Sequence, residues 1–151
     1  MKKFFTWLFL GICILFFIFL FVFKNKLNNV ASTLVYAQLG ENEKQNVLVS
    51  VDSLFNYEKN KQSHQITFLE FGSTGCSACK RMEKVMEDIR QQYPDKVNVI
   101  FVNVTKKDNH DLLKFYGIAV IPTQVLLDKT GKEFFRHSGY ISAKELITHF
   151  E

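Results

Sequence analysis

Two cysteines three positions apart, Cys76 and Cys79, are the residues whose type and spacing could carry chemistry. A Cys-x-x-Cys pair can close a disulfide, hold half of a zinc site, or be no more than two buried cysteines. A zinc site needs two further ligands at a set spacing, a second Cys pair or a His pair. The remaining cysteine, Cys13, lies in an apolar run, and His64, His110, His137 and His149 form no close pair. Thiol–disulfide exchange is therefore the expected chemistry, and no metal ligand is assigned.

The elements around the pair suit that reading. Residues 66–71 (ITFLEF) predict a mostly apolar strand, residues 72–75 a Gly-containing loop, and residues 76–93 a helix. Cys79, Met82, Val85, Met86, Ile89 and Tyr93 share one face of that helix, with charged residues on the others. Cys76, at the first helical position, meets unpaired backbone N–H groups and the positive end of the macrodipole, which favour thiolate over thiol. Cys79 sits one turn further in, on the apolar face, where burial disfavours its thiolate. One spacing thus predicts an exposed attacking sulfur and a protected resolving one.

Further along, residues 97–104 (VNVIFVNV) predict a strand and residues 111–116 a short helix stopped by Gly117. Residues 123–127 and 133–137 flank Asp128-Lys129-Thr130-Gly131, a hairpin turn. Ser142-Ala143-Lys144-Glu145 opens a last helix with a capping box. Upstream, residues 47–50 alternate like a strand, and Asp52 is placed to cap a short helix reaching about Lys61. The order β-α-β-α-β-α-β-β-α predicts an α/β domain, a mixed central sheet with helices on both faces.

The amino-terminal end has a different character. Residues 4–23 form an uncharged run of twenty residues, about 30 Å long as a helix and enough to cross a bilayer. This exceeds the usual apolar part of a secretory signal, so one uncleaved transmembrane anchor is expected. The expected division is 1–3 as a short cytoplasmic end, 4–23 as the anchor, 24–46 as a polar linker, and 47–151 as the domain. The chain carries 19 basic and 15 acidic residues, a net charge of +4. Lys2, Lys3, Lys24 and Lys26 account for that whole excess. Beyond them the charges balance, which argues against nucleic-acid binding through phosphates. Asn103-Val104-Thr105 matches a glycosylation acceptor but ends a predicted buried strand, and is discounted.

Over residues 47–151 the sequence resembles the thioredoxin family. The resemblance rests on Phe71-Gly72-Ser73-Thr74-Gly75-Cys76-Ser77-Ala78-Cys79-Lys80, on Tyr116-Gly117-Ile118-Ala119-Val120-Ile121-Pro122-Thr123, and on Gly139 ahead of the last helix. It implies a thioredoxin-like fold, a redox-active Cys76–Cys79 disulfide and a cis peptide at Pro122 that presents the Ile121 backbone to an extended substrate. Glu70 stands where the family usually carries a buried acid, and would take the proton from Cys79 during resolution. Two departures are visible. Gly75 replaces the family's Trp before the first Cys, and Ser77-Ala78 replaces Gly-Pro between the two. The lack of His between the cysteines argues for a reducing or middling potential.

The expected protein is a membrane-tethered disulfide reductase on the extracytoplasmic side of a bacterial cytoplasmic membrane. Cys76, Cys79 and Glu70 are its catalytic candidates, and Gly75, Ile121 and Pro122 its substrate-binding ones. It is expected to need no organic cofactor and to act as a monomer on protein substrates with disulfides. Its electron source would be a transmembrane thiol conduit of the cytochrome-c-biogenesis type. The rivals are a disulfide-inserting oxidant of the same fold, a copper-carrying adaptor, and a structural module with an inert pair.

Overall fold

The computed structural model describes residues 2–150. Its elements are α1 (Lys2–Tyr36), α2 (Glu41–Phe55), α3 (Tyr57–Asn60), β1 (Ile66–Gly72), α4 (Ser77–Gln92), β2 (Val97–Asn103), a 3-10 turn (Lys107–Asn109), α5 (His110–Phe115), β3 (Thr123–Asp128), β4 (Glu133–Ser138) and α6 (Ala143–Ile147). The four strands form one mixed sheet in the order β2-β1-β3-β4. β2 runs parallel to β1, β3 antiparallel to β1, and β4 antiparallel to β3.

β1 is buried along its full length, because it is flanked by strands on both edges and covered by helices on both faces. Strand alternation divides its side chains between two cores. Ile66 and Phe68 join Met82, Val85, Met86 and Ile89 of α4, and Leu146 of α6. Leu69 and Phe71 point the other way, toward Val47, Val51 and Phe55 of α2 and Tyr116 after α5. Each such fully buried apolar side chain contributes about 1.5–3 kcal/mol, far more than helix propensity does over the same residues.

The helix and hairpin signatures take their expected forms. Ser142 Oγ accepts from the Glu145 N–H, and Glu145 Oε2 accepts from the Ser142 N–H. Asp128 Oδ1 accepts from the N–H groups of Thr130 and Lys132, and Gly131 takes φ +81° in the turn. Phe134 is exposed while Phe135 packs on the first core, as adjacent strand residues must.

The region before β1 departs from the expectation. Residues 47–50 are not a strand but the middle of α2. Val47, Val51 and Phe55 recur at four-residue spacing and bury one helical stripe, and four alternating residues are too few to outweigh that period. The helix start is held by Glu43, whose Oε2 accepts from the Gly40 N–H. Asp52 caps nothing. It lies inside α2 and braces the next junction through Asn56 Nδ2 at 2.8 Å and Lys59 Nζ at 2.6 Å, while Asn56 caps α3.

Residues 24–46, read as a polar linker, are mostly helical. α1 continues through Tyr36, and α2 opens at Glu41. Thr6–Lys24 of α1 is long and apolar enough to cross a membrane, with a mean hydropathy of 2.8. Beyond it the same helix touches the domain, where the Tyr36 and Phe115 rings lie 6.3 Å apart.

Candidate redox site

The site is built where β1 ends and α4 begins. A Ser73–Cys76 turn, closed by the Cys76 N–H on the Ser73 carbonyl at 3.2 Å, brings the chain out of the sheet. Cys76 is the N-cap of α4 rather than its first helical residue. Its sulfur takes the place of a capping oxygen and accepts the Cys79 N–H at 3.2 Å. The two cysteines form a disulfide with their Cα atoms 5.2 Å apart.

Their surroundings are unequal. Cys76 is half-buried, whereas Cys79 is 2% exposed and belongs to the buried face of α4. Gly72 makes that burial possible, since the space its side chain would fill is taken by Cys79. A Cβ built there would lie 3.2 Å from Cys79 Cβ and 3.3 Å from its Sγ. Gly75 faces open space, with nothing within 4 Å of the corresponding position.

Glu70 is two residues before Gly72, so its side chain leaves β1 on the same face as Cys79. Strand alternation does not turn Glu70 to solvent, because both faces of β1 are covered: Glu70 is 0% exposed. Burial pushes its carboxyl up to about 8, opposed by the Gln124 amide, whose Nε2 donates to Oε2 at 3.0 Å. Gln124 of β3 is also fully buried and is the cross-strand partner of Glu70. Sequence reasoning missed Gln124. The same feature that singled out Glu70, a polar residue in a strand otherwise apolar, was available at 123–127.

The Ile121–Pro122 peptide is cis. Thr123, the next residue, pairs with Phe71 at the end of β1, which carries the proline loop to the edge where Gly72 meets Cys79. The loop is pinned by the Gly139 N–H on the Pro122 carbonyl at 2.8 Å and by Thr123 Oγ1 on the Val120 carbonyl at 2.8 Å. The Ile121 main chain makes no hydrogen bond among the described residues. Lys80 is exposed, and Arg81 lies 4.8 Å over the Tyr140 ring. No group of three or more His, Cys, Asp or Glu residues that could hold a metal occurs among the described residues. A half-buried cysteine capping a helix N-terminus, a buried second cysteine and a buried acid on the same strand face form a set able to run thiol–disulfide exchange.

Comparison with known proteins agrees with this geometry. A family profile for a thioredoxin-like domain matches residues 56–151. The chain is 32% identical over 81 residues to the chloroplastic thioredoxin-like protein HCF164 of Arabidopsis thaliana, covering 54% of this chain and 31% of that protein. It is 26% identical over 81 residues to thioredoxin of Bacillus subtilis, covering 54% of this chain and 73% of that one. The match thus spans about a third of the length of the chloroplast protein. Among solved structures, the exposed lipoprotein thioredoxin Etrx1 of Streptococcus pneumoniae superposes with a TM-score of 0.52 at 20% identity, over 60% of this chain and 87% of that one. StoA of Bacillus subtilis gives 0.51 at 23% identity, over 60% and 84%. These two share the fold. With the family profile covering the sheet, the cysteine pair and the cis-proline loop together, the chain belongs to the thioredoxin-like domain family.

Proposed function

We propose that the protein is a membrane-tethered thiol–disulfide oxidoreductase that reduces disulfides of exported proteins. Thr6–Lys24 crosses the membrane, and the domain lies on the extracytoplasmic side of a bacterial cytoplasmic membrane. One observation carries the reading: Cys76 is half-buried and its Sγ accepts the Cys79 N–H, while Cys79 itself is buried against Gly72. That amide stabilises a thiolate on Cys76 once the pair is reduced.

In the reaction, the Cys76 thiolate attacks a substrate disulfide and forms a mixed disulfide. Cys79 then loses its proton to Glu70, attacks Cys76 Sγ, and releases the substrate thiol as the Cys76–Cys79 disulfide forms. Gly75 leaves room beside the sulfur, and the free Ile121 main chain ahead of Pro122 is placed to pair with an extended substrate segment. The oxidised pair returns to the dithiol by exchange with a membrane thiol conduit of the cytochrome-c-biogenesis type.

Trapping tests this directly. A Cys79→Ala variant of the full chain, expressed in its own cell, accumulates mixed disulfides through Cys76 with exported proteins. Measurement of the reduction potential tests the direction. A value near about −270 mV supports a reductant, and one near about −120 mV assigns the opposite direction. Failure of the variant to trap any protein, together with failure of the wild type to reduce insulin, would remove the enzyme reading.

A further inference from the structure

Glu70 and Gln124 face each other across neighbouring strands, both with no exposure to solvent. They share one hydrogen bond, from Gln124 Nε2 to Glu70 Oε2 at 3.0 Å. The other oxygen of each side chain, Glu70 Oε1 and Gln124 Oε1, is buried without a partner. An ionised glutamate only accepts hydrogen bonds, so in that state both oxygens stay orphaned. A proton on Glu70 Oε1 changes this: the acid becomes a donor, and the amide oxygen beside it is the acceptor it needs. Two antiparallel hydrogen bonds then close one ring, and both orphans vanish together.

We propose that Gln124 is a positioning residue that holds Glu70 as a neutral acid in a cyclic acid–amide pair, storing a proton beside Cys79 in the disulfide form. This rests on the proton-transfer role of Glu70 and specifies how its proton is kept. Among the described residues no other charge competes for it. From β2 the register partner of Glu70 is Phe101, from β3 it is Gln124, and on the α4 side Cys79 packs against Gly72, the next residue of β1 on the face that Glu70 leaves. Burial raises the Glu70 carboxyl, the Gln124 N–H on Oε2 by itself opposes that rise, and it is the second bond, from a protonated Oε1 to the amide oxygen, that favours the neutral acid.

The stored proton has a defined use. When a partner thiolate attacks Cys76 Sγ, the Cys76–Cys79 bond breaks and its electron pair leaves on Cys79 Sγ. The proton on Glu70 Oε1 passes to that sulfur, giving a Cys79 thiol and a Glu70 carboxylate, while the partner becomes joined to Cys76 as a mixed disulfide. The Gln124 N–H on Oε2 is then a charge-assisted bond that steadies the carboxylate until the proton returns. One amide thus serves both protonation states without moving.

Infrared difference spectroscopy of the full-length protein in detergent, recorded between disulfide and dithiol forms, tests the pair. The wild-type disulfide form at neutral pH shows a protonated carboxyl stretch, which Glu70→Gln removes. Gln124→Met leaves the acid but takes away its N–H donor, so the stretch moves to higher frequency. The same variant slows release of Cys79 during reduction at least about tenfold, while alkylation of Cys76 in the reduced protein keeps its rate. A measurement on the unmodified protein stands beside these: the Gln124 side-chain amide resonances titrate with the same midpoint as the Glu70 carboxyl carbon. Amide resonances that stay fixed through that titration, or a carboxyl stretch unmoved in Gln124→Met, would overturn the proposal. If Glu70→Gln slows Cys79 release and Gln124→Met does not, the pairing is wrong and the role of Glu70 stands. If Glu70→Gln leaves the release rate unchanged, the proton role of Glu70 falls, and the pair with it.

Discussion

Gly72 and Cys79 share a space that only one side chain can occupy. A Cβ on Gly72 would lie 3.2 Å from Cys79 Cβ and 3.0 Å from Phe101 Cε2. The last residue of β1 therefore sets how closely the first turn of α4 approaches the sheet. That approach buries Cys79, while Cys76, the N-cap one turn earlier, is only half-buried. Glu70, one strand step back, leaves β1 on the same face as Gly72.

Gly72→Ala tests this packing. The half-exposed Phe101 ring can shift, but Cys79 is held by the helix and by the disulfide, so α4 has to move outward by a few tenths of an ångström. Overpacking of this kind costs about 1–3 kcal/mol. Urea unfolding of the disulfide form will show a lower midpoint with an unchanged slope. In the reduced protein, Cys79 gains reactivity toward a thiol reagent because its shield is lifted.

The two thiols should separate cleanly once reduced. Cys76 receives the Cys79 N–H and borders solvent, whereas Cys79 is 2% exposed. Alkylation followed by peptide mapping at neutral pH will label Cys76 at least about tenfold faster, since thiolate fraction and access both favour it. Cys76→Ser abolishes disulfide reduction, and the remaining Cys79 stays slow to react in the native protein. Equal labelling of the two sulfurs would leave no basis for assigning them different roles.

Glu70 also leaves a mark on stability. Its carboxyl is raised from the ordinary 4.5 to about 8 by burial, so between those values the unfolded chain is ionised and the folded chain is not. The folded state then binds more protons, and stability falls as pH rises across that window, by up to about 1.4 kcal/mol per pH unit. Below pH 4.5 the glutamate is neutral in both states and its contribution is fully present. Glu70→Gln removes the slope. Chemical unfolding of wild type and variant in parallel will therefore diverge from about pH 5 upward, with the variant the more stable at pH 8.

The parts of the fold that could be read from residues alone are those where local pattern and tertiary role coincide. The face from Cys79 to Ile89 has a helical period and is buried as a helix; Ser142 and Glu145 are spaced to cap and do cap. The cysteine pair was legible because its neighbours, a strand before and a helix after, are both strongly patterned. Residues 47–50 were not, since Val-Leu-Val-Ser satisfies a strand over four residues and a helix over nine, and only Val51 and Phe55 decide between them. Gln124 escaped for a different reason. A lone amide in a strand has no chemistry until its cross-strand partner is known, and the 54 residues separating it from Glu70 conceal that register.

The helix that leaves the apolar span supplies the last test. Gly117 has φ +58°, and a Cβ there would lie 2.5 Å from the Ser32 carbonyl oxygen of α1. Two separate demands thus meet at one glycine: a left-handed turn after α5 and close passage of α1 over it. Gly117→Ala costs about 1–2 kcal/mol from the backbone conformation alone, and Ser32 cannot yield without displacing its helix. Since the Tyr36 and Phe115 rings lie together just beyond, the substitution lifts the end of α1 from α5. Limited proteolysis of the full chain in detergent will then cut within residues 28–40 at a protease concentration that leaves the wild type intact. Insulin reduction by the variant persists, because Cys76, Cys79 and Glu70 are positioned by β1 and α4. Wild-type cleavage at the same rate would mean that α1 beyond the span is not held against α5.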